Sequence, residues 1–236
     1  MSLSEKALLL KEDFDNVHEA GKKAEYNEFW DNLNTSSPYR FAGTSWSKET
    51  FKPNKDITVG NYGFYYHNWQ GTAYDLAAQL EELGVKLTMA SSADTQTFYC
   101  AWFTRIPSCD FSKCSGAFDR VFYQATGTGL HTIDKIILPP EGKITSFSNP
   151  FQGCTKLANV TIEGVIDQSI SFSPCPLTVA SMKSIISCLK DYSGTENEGD
   201  YKLTFSSTCW DTLEADSTSP TGTTWREYVQ NLGWTI

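Results

Sequence analysis

The sequence predicts an α/β fold: a short solenoid of stacked parallel strands, closed by helical caps and preceded by an N-terminal helix. Three observations lead there. An apolar-x-x-apolar pair recurs at 27-residue intervals, as Phe103-Thr-Arg-Ile106, Leu130-His-Thr-Ile133 and Leu157-Ala-Asn-Val160, each with an upstream aromatic at Phe98, Phe122 or Phe151. A period in the twenties suits a strand and a return segment per turn, whose apolar faces are buried only by stacking on neighbours. Helical patterns flank this region, and the 236 residues, 40% hydrophobic and 14% aromatic, are sufficient to build a substantial core.

The first segment, Glu5 to Leu33, contains no proline and spaces Leu10, Phe14, Val17, Ala24 and Phe29 near one helical face. That face can pack on the rest of the domain, or Leu10, Phe14, Val17 and Ala24 can pair between chains as a short coiled coil and form a homo-oligomer. Gly21 weakens the second arrangement. From Asn34 to Gly71 the chain is rich in Ser, Thr, Pro, Gly and aromatics, with Asn54–Val59 and Gly63–His67 as strand candidates. A helix follows: Thr72 and Asp75 start it in the manner of a capping box, Leu76, Leu80 and Leu83 share a face, and Gly84 stops it. Val85 to Met89 reads as a strand.

Within the repeats, strands are expected near Cys109–Phe111, Ile136–Leu138 and Thr161–Ile162. Open ends of such a stack expose strand edges and need covers. The helix pattern Thr178–Leu189, the alternation Lys202–Phe205 and a second helix Thr224–Leu232, which turns through Gly233 into Trp234-Thr235-Ile236, supply them at the C-terminal end. Ser193–Asp200 and Ala215–Thr223 read as polar loops. The expected organisation is therefore 1–34 helix, 35–89 N-terminal cap, 90–176 solenoid and 177–236 C-terminal α/β cap.

Ile136-Ile137-Leu138-Pro139, Phe151-Gln-Gly-Cys154 and Leu157-Ala-Asn-Val160-Thr-Ile162 resemble the treponemal-type leucine-rich repeats of BspA-like proteins. The tail, from Leu177 to Ile186 and on to the terminal Gly-Trp-Thr-Ile, is similar to the C-terminal cap of repeat proteins of gut Firmicutes and their phages. Glu19 to Trp30, with Glu49 to Pro53, looks like the start of such phage-encoded chains. The copies at Phe98 and Phe122 lack the Phe-x-x-Cys spacing. The resemblance implies a leucine-rich-repeat-like solenoid used for recognition, with no catalytic residues to carry over and no cofactor. It implies a structural or receptor-binding part of a bacteriophage particle, or else a bacterial cell-surface adhesin. The partners implied are other virion or cell-surface proteins, or glycans.

The chemistry-bearing residues are sparse. A net charge of −9 and a pI near 4.8 argue against a nucleic-acid or anionic-membrane footprint. The run Ala7-Leu8-Leu9-Leu10 is too short for a signal core, so no classical export is expected, and no run approaches a membrane span. Seven cysteines without a Cys-x-x-Cys pair point to small buried core residues. His18, His67 and His131 show no metal-ligand spacing, and a Cys100–His67 nucleophile pair rests on residue type alone. The acids Glu12, Asp13, Asp15, Glu81 and Glu82 cluster on helices as a solvated face rather than a glycosidase pair. Gly127-Thr-Gly129 reads as a turn, and Glu196-Asn-Glu-Gly-Asp200 as an exposed turn without a full calcium-ligand series. What remains is aromatic density: Tyr62, Tyr65, Trp69, Tyr99 and Trp102 are the candidate binding residues, since rigid aromatics offer large contact area at low entropic cost.

Overall fold

A computed structural model of the chain describes residues 28, 30, 41–44, 46–68, 71–124, 129–216 and 219–236. The fold is mixed α/β, with every strand pairing parallel: β1 (Ile57–Val59), β2 (Tyr74–Asp75), α1 (Leu76–Leu83), β3 (Leu87–Met89), β4 (Phe103–Ile106), β5 (Cys109–Asp110), β6 (Gly116–Ala117), β7 (Thr132–Ile137), β8 (Ile144–Ser146), β9 (Asn159–Glu163), β10 (Ile170–Ser171), α2 (Val179–Ser187), β11 (Tyr201–Thr204), α3 (Ser207–Asp216), α4 (Trp225–Asn231) and β12 (Trp234–Thr235).

The 27-residue pattern becomes the register of the central sheet. Ile106 lies opposite Ile133, and Ile133 opposite Val160, while β5 and the second half of β9 flank Ile136–Ile137 of β7. Phe103, Ile106, Leu130, Ile133, Leu157 and Val160 are all buried, as the apolar pairing requires. The outer face of this sheet carries charges that pair along it: Arg105 grips Asp134 in a two-pronged contact of 2.6 and 3.0 Å, and Lys135 meets Glu163 at 3.0 Å. Smaller parallel sheets are β1–β3, β6–β8 and β10–β11–β12.

A second ladder lies across the core from this sheet and has no strand assignment. Tyr62, Phe64 and Tyr66 donate their N–H groups to the carbonyls of Thr95, Thr97 and Tyr99. Gln96, Phe98 and Cys100 donate to Asp119, Val121 and Tyr123, and Arg120, Phe122 and Gln124 to Ser148, Pro150 and Gln152, all within 2.7–3.1 Å. Four of the passages are tight turns in which the residue three after the phenylalanine bonds back to its carbonyl: His67 to Phe64, Ala101 to Phe98, Cys154 to Phe151 and Cys175 to Phe172. Left-handed residues bracket these turns, at Tyr62 and Tyr66, Gln96 and Cys100, and at Arg120. The segment Gly63–His67, expected as a strand, is thus a turn; its backbone N–H groups bond alternately within the turn and to the neighbouring passage.

The turn points one phenylalanine inward per passage, and the rings stack. Phe41, Phe64, Phe98, Phe122, Phe151 and Phe172 form a continuous column with centroid steps of 5.1, 5.4, 5.5, 5.6 and 4.4 Å and interplanar angles from 5° to 22°. All six are essentially inaccessible to solvent. The core is unbroken from Trp30, which packs with Phe41, Trp46 and Phe51, to Trp234, which meets Tyr192 and Tyr201.

The helices form as their capping signals dictate. Asp75 caps α1 by accepting from the Ala78 N–H, so the cap is Asp75 and not Thr72, and Gly84 ends the helix at φ 66°. Thr178 caps α2, and Thr224 with Glu227 makes a full capping box on α4. α2 seals the edge of β9: Ser181 and Ser184 accept from the Val160 and Ile162 N–H groups at 2.9 and 3.1 Å, standing in for a neighbouring strand. α3 was not foreseen, and the expected polar loop Ala215–Thr223 begins inside it. The expected strands Asn54–Val59 and Val85–Met89 shorten to Ile57–Val59 and Leu87–Met89. Of the expected helix Glu5–Leu33, Glu28 and Trp30 are helical; Leu10, Phe14, Val17 and Ala24 lie outside the described residues.

Candidate functional site

The turn that sends a phenylalanine inward places the next residue on the outside. That residue is Tyr65 after Phe64, Tyr99 after Phe98 and Tyr123 after Phe122, and all three are half-buried. Because the passages are held in register by backbone bonds, the tyrosines stack in turn: Tyr65 on Tyr99 at 5.0 Å and 20°, Tyr99 on Tyr123 at 4.5 Å and 6°. Tyr66 closes edge-on against Tyr65 at 4.6 Å and Tyr99 at 5.5 Å, and Tyr62 against Tyr65 at 5.7 Å. In the next passage the equivalent position is Gln152, so the stripe spans three passages.

Stacking covers both faces of Tyr99 and one face each of Tyr65 and Tyr123, so the middle of the stripe presents ring edges. Burial, with Cys100, Tyr66 and Tyr123 close by, pushes the Tyr99 phenol well above the usual tyrosine range, so it stays protonated and able to donate at physiological pH. The stripe thus offers a rigid, uncharged, hydrogen-bonding ridge mounted on a column of buried phenylalanines.

Of the residues singled out in the sequence, Tyr62, Tyr65 and Tyr99 come together. Trp102 sits at the entry to β4, its N–H bonded to the His67 carbonyl and its own carbonyl accepting from Tyr74, and Trp69 lies outside the described residues. Tyr66 and Tyr123 were not among the candidates; the signal that finds Tyr123 is an aromatic directly after each inward phenylalanine.

The Cys100–His67 pairing does not occur. His67 is wholly buried, its Nε2 2.8 Å from the Tyr74 hydroxyl and its Nδ1 near the Thr44 hydroxyl and the Phe41 carbonyl, at 3.2 and 3.3 Å. Its ring stacks on Phe103, and desolvation lowers its pKa to about 3. It is a neutral core histidine standing where other passages place Ala101 or Cys154. Burial likewise pushes the Cys114 thiol up to about 11 and Cys109 and Cys154 higher still, so these are protonated thiols whose sulfurs reach backbone carbonyls. His131 is exposed, with its N–H bonded to the Thr104 carbonyl. Glu81 and Glu82 are exposed on α1, and Glu198 folds its acidic turn by accepting from the Gly194 N–H at 2.8 Å. Among the described residues no three His, Cys, Asp or Glu side chains converge as metal ligands, and no helix is long and apolar enough to cross a membrane.

Comparison of the chain with protein-family models, with curated proteins and with solved structures returns no match.

Proposed function

We propose that the stacked passages are the turns of a short leucine-rich-repeat-like solenoid, and that the chain is a non-catalytic recognition or structural component of a bacteriophage particle, exposed on its tail, neck or capsid surface. The observation that carries the recognition reading is the tyrosine stripe Tyr65–Tyr99–Tyr123, with Tyr62 and Tyr66 at its margin. Pre-ordered aromatics lose little entropy on binding and suit contact centres. Because stacking covers both faces of Tyr99, the middle of the stripe favours partners that present hydrogen-bonding edges, a protein surface or glycan hydroxyls, over a sugar ring laid flat on an aromatic. The particle assignment rests on the resemblance of the repeat and of the two ends of the chain.

Two measurements test the two halves separately. Binding of the intact chain to panels of surface proteins and glycans should drop at least tenfold when Tyr65, Tyr99 and Tyr123 are all replaced by alanine; undiminished binding by the folded variant would remove the stripe from the reading. Antibodies against the chain should decorate assembled phage particles in electron micrographs. Bare particles alongside labelled bacterial cells would instead make the chain an adhesin.

A further inference from the structure

Beyond recognition, the structure holds a pair of thiols in adjacent turns. Phe151-Gln-Gly-Cys154 and Phe172-Ser-Pro-Cys175 are successive copies of the same turn, each cysteine N–H bonded to its own phenylalanine carbonyl at 3.1 and 2.9 Å. Equivalent positions in neighbouring passages therefore face each other, and at this step the passages are closest: the Phe151 and Phe172 rings stand 4.4 Å apart, against 5.1–5.6 Å elsewhere in the column. The Cys175 sulfur lies 4.0 Å from the Phe151 carbonyl oxygen, the same atom that accepts the Cys154 N–H. Both residues are buried and neither is in a disulfide.

We propose that Cys154 and Cys175 form a latent cross-link, a disulfide that closes between adjacent turns when the chain meets a small-molecule disulfide oxidant. The chemistry balances as two exchanges. A thiolate of one cysteine attacks the oxidant, forming a mixed disulfide and releasing one small thiol. The second cysteine then displaces the other small thiol, so that two protein thiols become one disulfide and the oxidant leaves as two reduced thiols. The Cys154 sulfur now meets the Phe122 carbonyl oxygen at 3.1 Å, so closure requires its side chain to turn, and burial holds the thiol protonated, which makes the reaction slow until the turns part locally. Cys100 is a poorer partner. Its N–H bonds to the Tyr123 carbonyl, so the Phe122 passage lies between it and Cys154. Cys209 stands on helix α3 rather than in a copy of the turn, its sulfur 3.3 Å from the Cys175 carbonyl oxygen.

The test incubates the full chain with oxidised glutathione in sub-denaturing urea, then unfolds it, alkylates it with N-ethylmaleimide and weighs it. Five of the seven cysteines should take the label. Trypsin cleaves between the two, after Lys156, so the peptide Ile144–Lys156 should appear joined to Leu157–Lys183, and the urea midpoint should rise until a reductant restores it. Cys100→Ser should keep the link and Cys175→Ala abolish it; if Cys175→Ala fails to fold, the wild-type peptide map decides alone. Seven labels at every urea concentration below the unfolding transition, persistent glutathione adducts, or a link through Cys100 or Cys209 would overturn the proposal.

Discussion

Phe122 and Tyr123 are neighbours in sequence with opposite fates, and replacing each by alanine separates scaffold from surface. Phe122 is fully buried, stacked between Phe98 and Phe151 at 5.5 and 5.6 Å and edge-on to Phe111 at 6.1 Å. Phe122→Ala deletes a whole ring from a close-packed column whose neighbours are fixed by backbone bonds on both sides, so the cavity collapses little and the cost lies at the upper end of the usual 3–5 kcal/mol. Tyr123→Ala removes one stacked partner, Tyr99, from a half-exposed position, worth about 1 kcal/mol. Urea unfolding followed by tryptophan fluorescence and circular dichroism measures both. A loss of about 5 kcal/mol for Phe122→Ala beside about 1 kcal/mol for Tyr123→Ala is the expected result. Equal losses would refute the assignment of inward and outward positions, and with it the stripe.

Further perturbations at four positions have defined signs. His67 is neutral when folded, with a pKa near 3 against about 6.5 unfolded, so the unfolded chain binds the extra proton and stability falls as pH drops from about 6.5 toward 3, by up to roughly 5 kcal/mol; a His67→Gln variant should show a flatter stability profile across that window. Ser181→Ala leaves the buried Val160 N–H without its acceptor and should cost about 1–3 kcal/mol, seen as faster amide exchange in β9. Gly153 sits at φ 79°, where a Cβ would fall 1.7 Å from the Gln124 carbonyl oxygen, so Gly153→Ala should destabilise by more than about 2 kcal/mol, whereas Arg120→Gly, at φ 46°, should gain about 0.5–1 kcal/mol in thermal unfolding.

The central sheet was legible because its apolar pairs keep a constant 27-residue interval, and parallel register preserves that spacing from Ile106 to Ile133 to Val160. The phenylalanine column was not, because the chain between rungs ranges from 21 residues, Phe151 to Phe172, to 34, Phe64 to Phe98. Length is absorbed in loops while the rings keep their distance, so no single period describes them. The turn also tolerates Cys, Ala or His at its fourth position, which hid His67 and Ala101 as equivalents of Cys154. Gly63 to His67 reads as strand by composition, yet left-handed Tyr62 and Tyr66 make it a turn whose bonds alternate between nearby residues and the neighbouring passage. Helix α3 escaped notice because its buried face is only Cys209, Trp210 and Leu213 among polar residues. It is held from outside itself, since its Glu214 carboxylate receives the Trp225 and Arg226 N–H groups at the start of α4, both at 2.9 Å.

The serines of α2 act on β9 much as a chain stopper acts on a growing polymer. A strand laid against β9 would accept its hydrogen bonds and present a fresh row for the next; the hydroxyls of Ser181 and Ser184 accept the same bonds and present none. The last layer of this sheet is therefore capped, and the place where the sheet stops is set by where a helix with serines three residues apart falls in the sequence. A repeat inserted ahead of β9 would lengthen the sheet and leave the stopper in place.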